Sequence, residues 1–201
     1  MKFAKFLLIA GALVLAIGCA KPPQTEIDAA KAALGAAQSA EASVYAADAF
    51  AAAKSAVDKL DSEVAVQAKK GALSRKYDTA KTLAVTAKKA AEDAATAATT
   101  GKEQLKNQLA QKLPELADAI PAAQTLVKNA LKVRGIKLDS KALNAELEAI
   151  KTLIADAKTS YDAGKYADAD SKAAEAKQRH DAVQKLVLAA VDATKKPAAK
   201  K

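Results

Sequence analysis

Reactive side chains are scarce in this sequence, and their spacing limits the chemistry they could do. Cys19 is the only cysteine of the 201 residues and His180 the only histidine, which excludes an intrachain disulfide, a multi-thiolate zinc site and a multi-histidine metal cluster. His180 is the one side chain of the type most used for proton transfer near neutral pH. It falls on the apolar seam of a helical stretch, where packing is the default role. The carboxylate pairs Glu92 with Asp93, Glu146 with Glu148, and Asp168 with Asp170 stand one or two residues apart. Such spacings do not converge on one helix face, so neither a glycosidase pair nor a calcium site has a basis here. No glycine-rich phosphate loop is present. Tyr45, Tyr77, Tyr161 and Tyr166 could line a groove for sugar or peptide, but at helix starts and seam positions tyrosines more often close the ends of a small core. The expectation is a non-catalytic protein without cofactor or metal.

Cys19 has a more specific setting. Met1-Lys2-Phe3-Ala4-Lys5 is a short basic start, and the apolar run from Phe6 to Ile17 is too short for a permanent membrane span. The run ends in Leu15-Ala16-Ile17-Gly18-Cys19, followed by the polar Ala20-Lys21-Pro22-Pro23-Gln24. Small residues before one cysteine at this place resemble the signal peptides of bacterial lipoproteins; Ala16 departs from the branched residue or leucine usual at its position. The alternative is a cysteine within an ordinary secretion signal or a membrane-embedded helix. The resemblance implies cleavage before Cys19, a thioether-linked diacylglycerol on its sulfur and acylation of the new amino terminus. Multiple acyl chains anchor far more firmly than one, which binds only marginally. By the same resemblance Ala20, lacking the aspartate that retains such proteins at the inner membrane, implies the outer membrane. The lipid-anchored protein is then expected to face the periplasm, with surface display open.

The formal charge of +9 suggests an anionic partner. Lys2 and Lys5 leave with the leader, and Lys195, Lys196, Lys200 and Lys201 belong to the terminal Thr194–Lys201, so residues 20–193 carry only +3 of the total. Their positive charges alternate with acids, as in Lys54, Asp58, Lys59, Asp61 and Glu63, the pattern of a solvated helix face. A coherent basic stripe with aromatics, as nucleic-acid binding requires, is absent. No nucleic-acid partner is expected.

Composition and periodicity specify the elements. Ala occupies 55 positions, aromatics are 3% and there are only 7 Gly and 5 Pro, so the core is built largely from single methyl groups on strong helix formers. An all-α chain follows, arranged as elongated antiparallel hairpins or a bundle behind a cleaved N-terminal signal helix. Thr25 is the expected N-cap of a first helix reaching about Ala42, with a break near Ser43 to Ala47 and a new start at Asp48. Phe50, Ala53, Val57, Leu60 and Val64 alternate three and four apart, as in a stripe packed on another helix. After a turn at Gly71, Tyr77, Ala80, Ala84, Ala87, Ala91, Ala94 and Ala98 repeat that spacing, and Thr99-Thr100-Gly101 is expected to close the section. In the middle, Leu105, Leu109 and Leu113 form a stripe. Pro114 and Pro121 predict kinks or new starts, and Leu126, Ala130 and Val133 lead to a stop at Gly135. Asp139 or Ser140 caps a helix with the stripe Leu143, Leu147, Ile150, Ile154, Ala157 and Tyr161. Its partner carries Tyr166, Ala169, Ala173, Ala176, His180, Val183, Val187 and Ala190. The expected divisions are signal peptide 1–18, lipidated cysteine and linker 19–24, Ala-rich hairpin region 25–100, kinked connecting helices 101–138, second hairpin 139–193 and a disordered basic tail 194–201.

The two Tyr-headed seams are displaced by 89 residues, which predicts an internal duplication of a helical hairpin. Gly164-Lys165-Tyr166-Ala167-Asp168-Ala169 is similar to the Gly-x-Tyr-x-x-Ala segment of tetratricopeptide-like hairpins, without their repeated 34-residue period. Residues 22–98, with Tyr45-Ala46-Ala47-Asp48-Ala49-Phe50 and Arg75-Lys76-Tyr77-Asp78-Thr79-Ala80, resemble more closely an uncharacterised Ala-rich domain of bacterial envelope lipoproteins. That resemblance implies an all-helical envelope protein and brings no activity. In its anchor, its alanine content and its terminal lysine the chain also resembles the murein lipoprotein family, though not that family's uninterrupted heptad helix. The likeness implies Lys201 as a candidate for covalent attachment to peptidoglycan. Lys195, Lys196, Lys200 and Lys201 are the candidates for salt-sensitive contact with anionic peptidoglycan or lipid. The expected function is a structural spacer or scaffold of the cell envelope. The alternative is a helical binding module for a peptide, a lipid or an envelope protein partner.

Overall fold

The computed structural model describes residues 20–195. Cys19, the expected signal peptide before it, Lys196, Lys200 and Lys201 lie outside the described residues. Within them the chain is all-α, a helical bundle with no strand: α1 Gln24–Ser39, α2 Ala42–Tyr45, α3 Ala47–Ala68, a 3-10 turn Ala72–Ser74, α4 Asp78–Ala130, α5 Ser140–Asp162 and α6 Tyr166–Lys195. Two compact units divide the chain between Thr99 and Thr100, and α4 supplies residues to both.

The first unit packs α1, α3 and the start of α4 around the alanine seam. Ala80, Ala84, Ala87, Ala91, Ala94 and Ala98 are fully buried, so one face of α4 offers only methyl groups. Larger side chains come from its partners: Ile27 of α1 with Val57 and Leu60 of α3 form one cluster with Tyr77. A second cluster is alanine alone at its centre, Ala37, Ala42, Ala53, Ala91, Ala94 and Ala98, edged by Leu34, Tyr45 and Phe50. Small against large is the complementarity a dense interior needs. Ion pairs report the directions. Glu26, near the start of α1, lies 3.3 Å from Lys81, near the start of α4, whereas Lys31 meets Asp61, late in α3, at 2.9 Å. Hence α1 and α4 run the same way and α3 runs against both.

Local signals at the first helix read differently in the fold. Thr25 is not the N-cap: α1 begins at Gln24 behind Pro23, and the Ile27 N–H donates to the Pro23 carbonyl at 3.0 Å. A proline can open the ladder because it has no N–H to satisfy. The chain first breaks at Ala40 and Glu41, with Glu41 in the left-handed region at φ 58°, and breaks again at Ala46, within the expected stretch, before α3 starts at Ala47.

The second unit packs α4 from Thr100 onward with α5 and α6 around one continuous cluster. Leu109, Leu113, Leu116 and Ile120 of α4 and Leu147 and Ile150 of α5 supply bulk, and Ala169, Ala173 and Ala176 of α6 accept it. The buried positions of the two units correspond. Ala53, Val57 and Leu60 of α3 match Leu143, Leu147 and Ile150 of α5 at a displacement of 90, and the following seams match at 89. Large side chains thus replace small ones at equivalent places. The α5–α6 turn is closed by Gly164 at φ 74°, with Gly164 N–H on Tyr161 O and Lys165 N–H on Ser160 O, both at 2.9 Å; this paired pattern favours glycine at that position.

The new helix starts expected in the middle do not occur. α4 runs without interruption through Gly101, Pro114 and Pro121 and ends at Ala130; Gly135, at φ 84°, closes the turn beyond it. Both prolines, and Ala110 and Ala117 whose carbonyls they leave unpaired, face solvent. Water can satisfy those carbonyls, while Leu113, Leu116, Ile120 and Ala123 on the opposite face hold the helix to its partners. At the far end α6 takes in Thr194 and Lys195, the first two residues of the expected tail.

Candidate functional site

Chemistry-bearing side chains of the described residues are dispersed along the two units, and most are engaged in packing or ion pairs. His180 is 7% exposed and belongs to the α6 face that meets α5 and α4. Its Nδ1 lies 3.5 Å from Asp181 Oδ1, at the outer limit of a hydrogen bond, and Nε2 has no partner among the described residues. The ring takes its place among the buried side chains of α6, between Ala176 and Val183.

The carboxylates each meet a cation instead of one another. Glu92 pairs with Lys88 at 3.5 Å, Asp93 with Lys89 at 3.2 Å, Glu148 with Lys151 at 2.7 Å and Asp170 with Lys112 at 2.8 Å. Glu146 reaches Arg179 across α5 and α6 at 3.5 Å. No group of three His, Cys, Asp or Glu among the described residues could hold a metal ion. The tyrosines do not converge either. Tyr77 closes the Ile27 cluster, Tyr45 edges the alanine cluster, and Tyr161 and Tyr166 meet in the second unit with ring centres 5.3 Å apart and planes tilted by 56°.

One polar cluster was not legible in the sequence. Ser160, 6% exposed at the end of α5, gives its hydroxyl proton to Asp168 Oδ2 at 2.6 Å, and the Asp156 carbonyl, at 3.0 Å, is the other acceptor within reach of that proton. Lys172 donates to Ser160 Oγ at 2.9 Å and to Asp168 Oδ2 at 2.8 Å. The Lys172 ammonium, with the Ser160 hydroxyl second, holds the Asp168 carboxyl below the usual carboxylate range. A Ser–Lys nucleophile pair needs a lysine that accepts the serine proton; here the lysine donates and the proton goes to a carboxylate. The cluster fastens the α5–α6 turn. Gln67 does the same for the α3–α4 turn: its Nε2 donates to Glu63 at 2.7 Å and its Oε1 accepts from Lys76 N–H at 3.1 Å. The hint in the sequence was the Asp168 and Lys172 spacing, which by itself describes an ordinary surface pair.

Two shallow grooves lie on the second unit. One, about 570 Å³, follows α5 and α6 over Leu143, Val183 and Leu186 and is edged by Asp139, Glu146, Glu175 and Arg179. The other is a pair of adjoining depressions of about 440 and 400 Å³ between α4 and α5, sharing Ala117, Ile154 and Lys158 and passing over Pro114 and Pro121. Of the tail lysines, Lys195 is exposed and lies 3.2 Å from Asp192; Lys196, Lys200, Lys201 and the lipidation candidate Cys19 fall outside the described residues. No helix among them is long and apolar enough to cross a membrane. Neither a protein family, nor a curated protein, nor a solved structure matches the chain.

Proposed function

We propose that the chain is a lipid-anchored protein of the bacterial cell envelope, held in the outer membrane through Cys19 and serving as a non-catalytic spacer or scaffold. The observation that carries this reading is Leu15-Ala16-Ile17-Gly18-Cys19 at the end of a short apolar leader, with the first helix starting at Gln24. Cys19 precedes that helix by five residues, within roughly 18 Å at full extension. The folded part therefore stands close to its anchor. Supporting the structural role, many of the polar side chains are engaged in surface ion pairs or in fastening turns. A 22-residue helix such as α3 carries its unit over about 33 Å. The basic tail, Lys195, Lys196, Lys200 and Lys201, is the part suited to peptidoglycan, by charge or by a covalent bond through Lys201.

Mass spectrometry of the amino-terminal peptide of the mature protein tests the anchor. A peptide beginning at Cys19 and carrying diacylglycerol and an amide-linked acyl chain is expected; an unmodified Cys19 in the mature protein refutes the reading. Muramidase digestion of sacculi tests the tail, since muropeptide-linked Lys201 supports covalent attachment and its absence from every fragment ends it. A second reading, a binding module for a protein or lipid partner, draws on the α5–α6 groove, where Leu186 is 55% exposed. In-cell crosslinking from Gln178, which lines the same groove, separates the two. Capture of one partner there, with loss of capture on Leu186→Glu, favours the module.

A further inference from the structure

The α3–α4 turn is unlike the other turns in combining a bare apolar tip with dense positive charge. Residues 69–76 read Lys69-Lys70-Gly71-Ala72-Leu73-Ser74-Arg75-Lys76. Leu73 sits on the 3-10 turn at its tip and is 83% exposed, the most exposed large apolar side chain among the described residues. A single exposed leucine needs no explanation, but this one is flanked in sequence by Lys69 and Lys70 on one side and Arg75 and Lys76 on the other. Arg75 is bound into the turn, its guanidinium donating to the Lys70 carbonyl at 3.0 Å and the Ala68 carbonyl at 3.1 Å. It thereby ends α3 and holds the loop in shape. The ammonium groups of Lys69, Lys70 and Lys76 have no partner among the described residues, and Asp78 is the nearest acid in sequence.

The position of this turn within the first unit matters as much as its composition. Because α1 and α4 run the same way, the start of α1 lies at the end of the unit where α3 stops and α4 begins, as Glu26 with Lys81 and Ile27 clustered with Tyr77 record. Exposed Lys21, before α1, adds to the same end. At the opposite end of the unit, residues 40–48 contain Glu41 and Asp48 and no basic residue. The first unit is thus polarised along its length, cationic where the chain arrives from Cys19.

We propose that the 69–76 turn docks on an anionic phospholipid surface, Leu73 entering the headgroup boundary while Lys69, Lys70 and Lys76 face lipid phosphates. The inference rests on the Cys19 anchor and adds an orientation: an acyl anchor alone is a swivel, and a second contact beside it sets the bundle upright. An exposed apolar residue on a turn with basic residues on both sides combines the two attractions an interfacial contact uses, apolar burial and a negative surface potential.

The test uses the acylated mature protein reconstituted into vesicles of phosphatidylcholine alone or mixed with phosphatidylglycerol. Acylation blocks the only native thiol, so Leu73→Cys and Val44→Cys each offer one site for an environment-sensitive fluorophore; Val44 is 54% exposed on the α2 side of the unit. Position 73 is expected to show blue-shifted emission and quenching by nitroxide-labelled lipid in the anionic vesicles. Both signals are expected to disappear in high salt and when Lys69, Lys70 and Lys76 are replaced by Gln, and position 44 is expected to show neither. An acylated protein whose position 73 is indistinguishable from position 44 overturns the docking while leaving the anchor intact. A response at 73 to isolated sacculi and not to anionic vesicles also overturns it, in favour of a cell-wall contact. If the wild-type protein takes up the fluorophore at Cys19, the anchor fails and the docking fails with it.

Discussion

Position 91 in the first seam and position 180 in the second are equivalent at a displacement of 89, yet one is alanine and the other histidine, and leucine should have opposite effects at the two. Ala91 is fully buried in the cluster built from alanine alone, with Ala37, Ala42 and Ala53 contributed by α1, α2 and α3. Methyl-to-methyl contact brings the helix axes to the lower end of the usual range, ~8 Å. A leucine there must push α4 away from its neighbours. Overpacking of this kind costs typically ~1–3 kcal/mol, a fall in melting temperature of roughly 5–20 °C for a unit near 100 residues. At position 180 the space already holds a ring, and Nε2 is buried without a partner. Replacing it with leucine keeps most of the volume and removes a polar atom whose desolvation costs about 1–3 kcal/mol when unpaired. His180→Leu should therefore be neutral or stabilising. Since the two units need not unfold together, hydrogen exchange read by mass spectrometry, peptide by peptide, is the suitable assay beside thermal melts. Ala91→Leu should accelerate exchange in residues 24–99, and His180→Leu should leave or slow it in residues 100–195. Ala91→Leu at wild-type stability would show that the alanine seam is loosely packed. A His180→Leu protein destabilised by more than about 1 kcal/mol would mean that the imidazole makes a hydrogen bond worth keeping.

Three further outcomes follow from particular contacts. Asp139 accepts from the N–H groups of Lys141 and Ala142 at 2.9 and 3.0 Å, so Asp139→Ala should cost ~1 kcal/mol in urea denaturation, while Asp139→Ser recovers most of it. Pro114 and the carbonyl it leaves unpaired face solvent, so Pro114→Ala restores an α4 hydrogen bond without disturbing the core. It should stabilise the second unit by about 1–3 kcal/mol; a loss would mean that the proline is needed for the groove over Tyr161. Asp168 is held below the usual carboxylate range by Lys172 and Ser160. Its contribution is present above the unfolded-state pKa and lost as pH falls through the lower folded value. Thermal melts should show a steeper acid-side decline for the wild type than for Asp168→Asn, and parallel curves would refute the assignment.

The parts of the fold that could be read in advance are those where neighbouring residues on one helix carry the whole signal. The α5 stripe Leu143, Leu147, Ile150, Ile154 and Ala157, the α4 seam from Tyr77 to Ala98 and the Asp139 cap each depend on spacing within one element, and each is buried or bonded as that spacing requires. The failures come where tertiary contact outweighs a local preference. Gly101, Pro114 and Pro121 are breakers by propensity, but α4 is clamped on one face and hydrated on the other, so it continues. Ser160, Asp168 and Lys172 are brought together by the Gly164 turn, from positions eight and twelve residues apart on two helices, a relation with no fixed sequence signature. The basic, Leu73-tipped turn was equally visible as letters and meant little until α1 was seen to begin at the same end of the unit.

By itself the sequence determined the helical class, the seams, and the setting of Cys19 at the end of a short apolar run, because helix propensity, 3.6-residue periodicity and such a run are all properties of contiguous residues. The direction of α1 relative to α3 and α4, and with it the gathering of Lys21, Lys69, Lys70 and Lys76 at one end of the first unit, was decided only by tertiary structure. Nothing in a helix's own residues states which neighbour it will bury its face against.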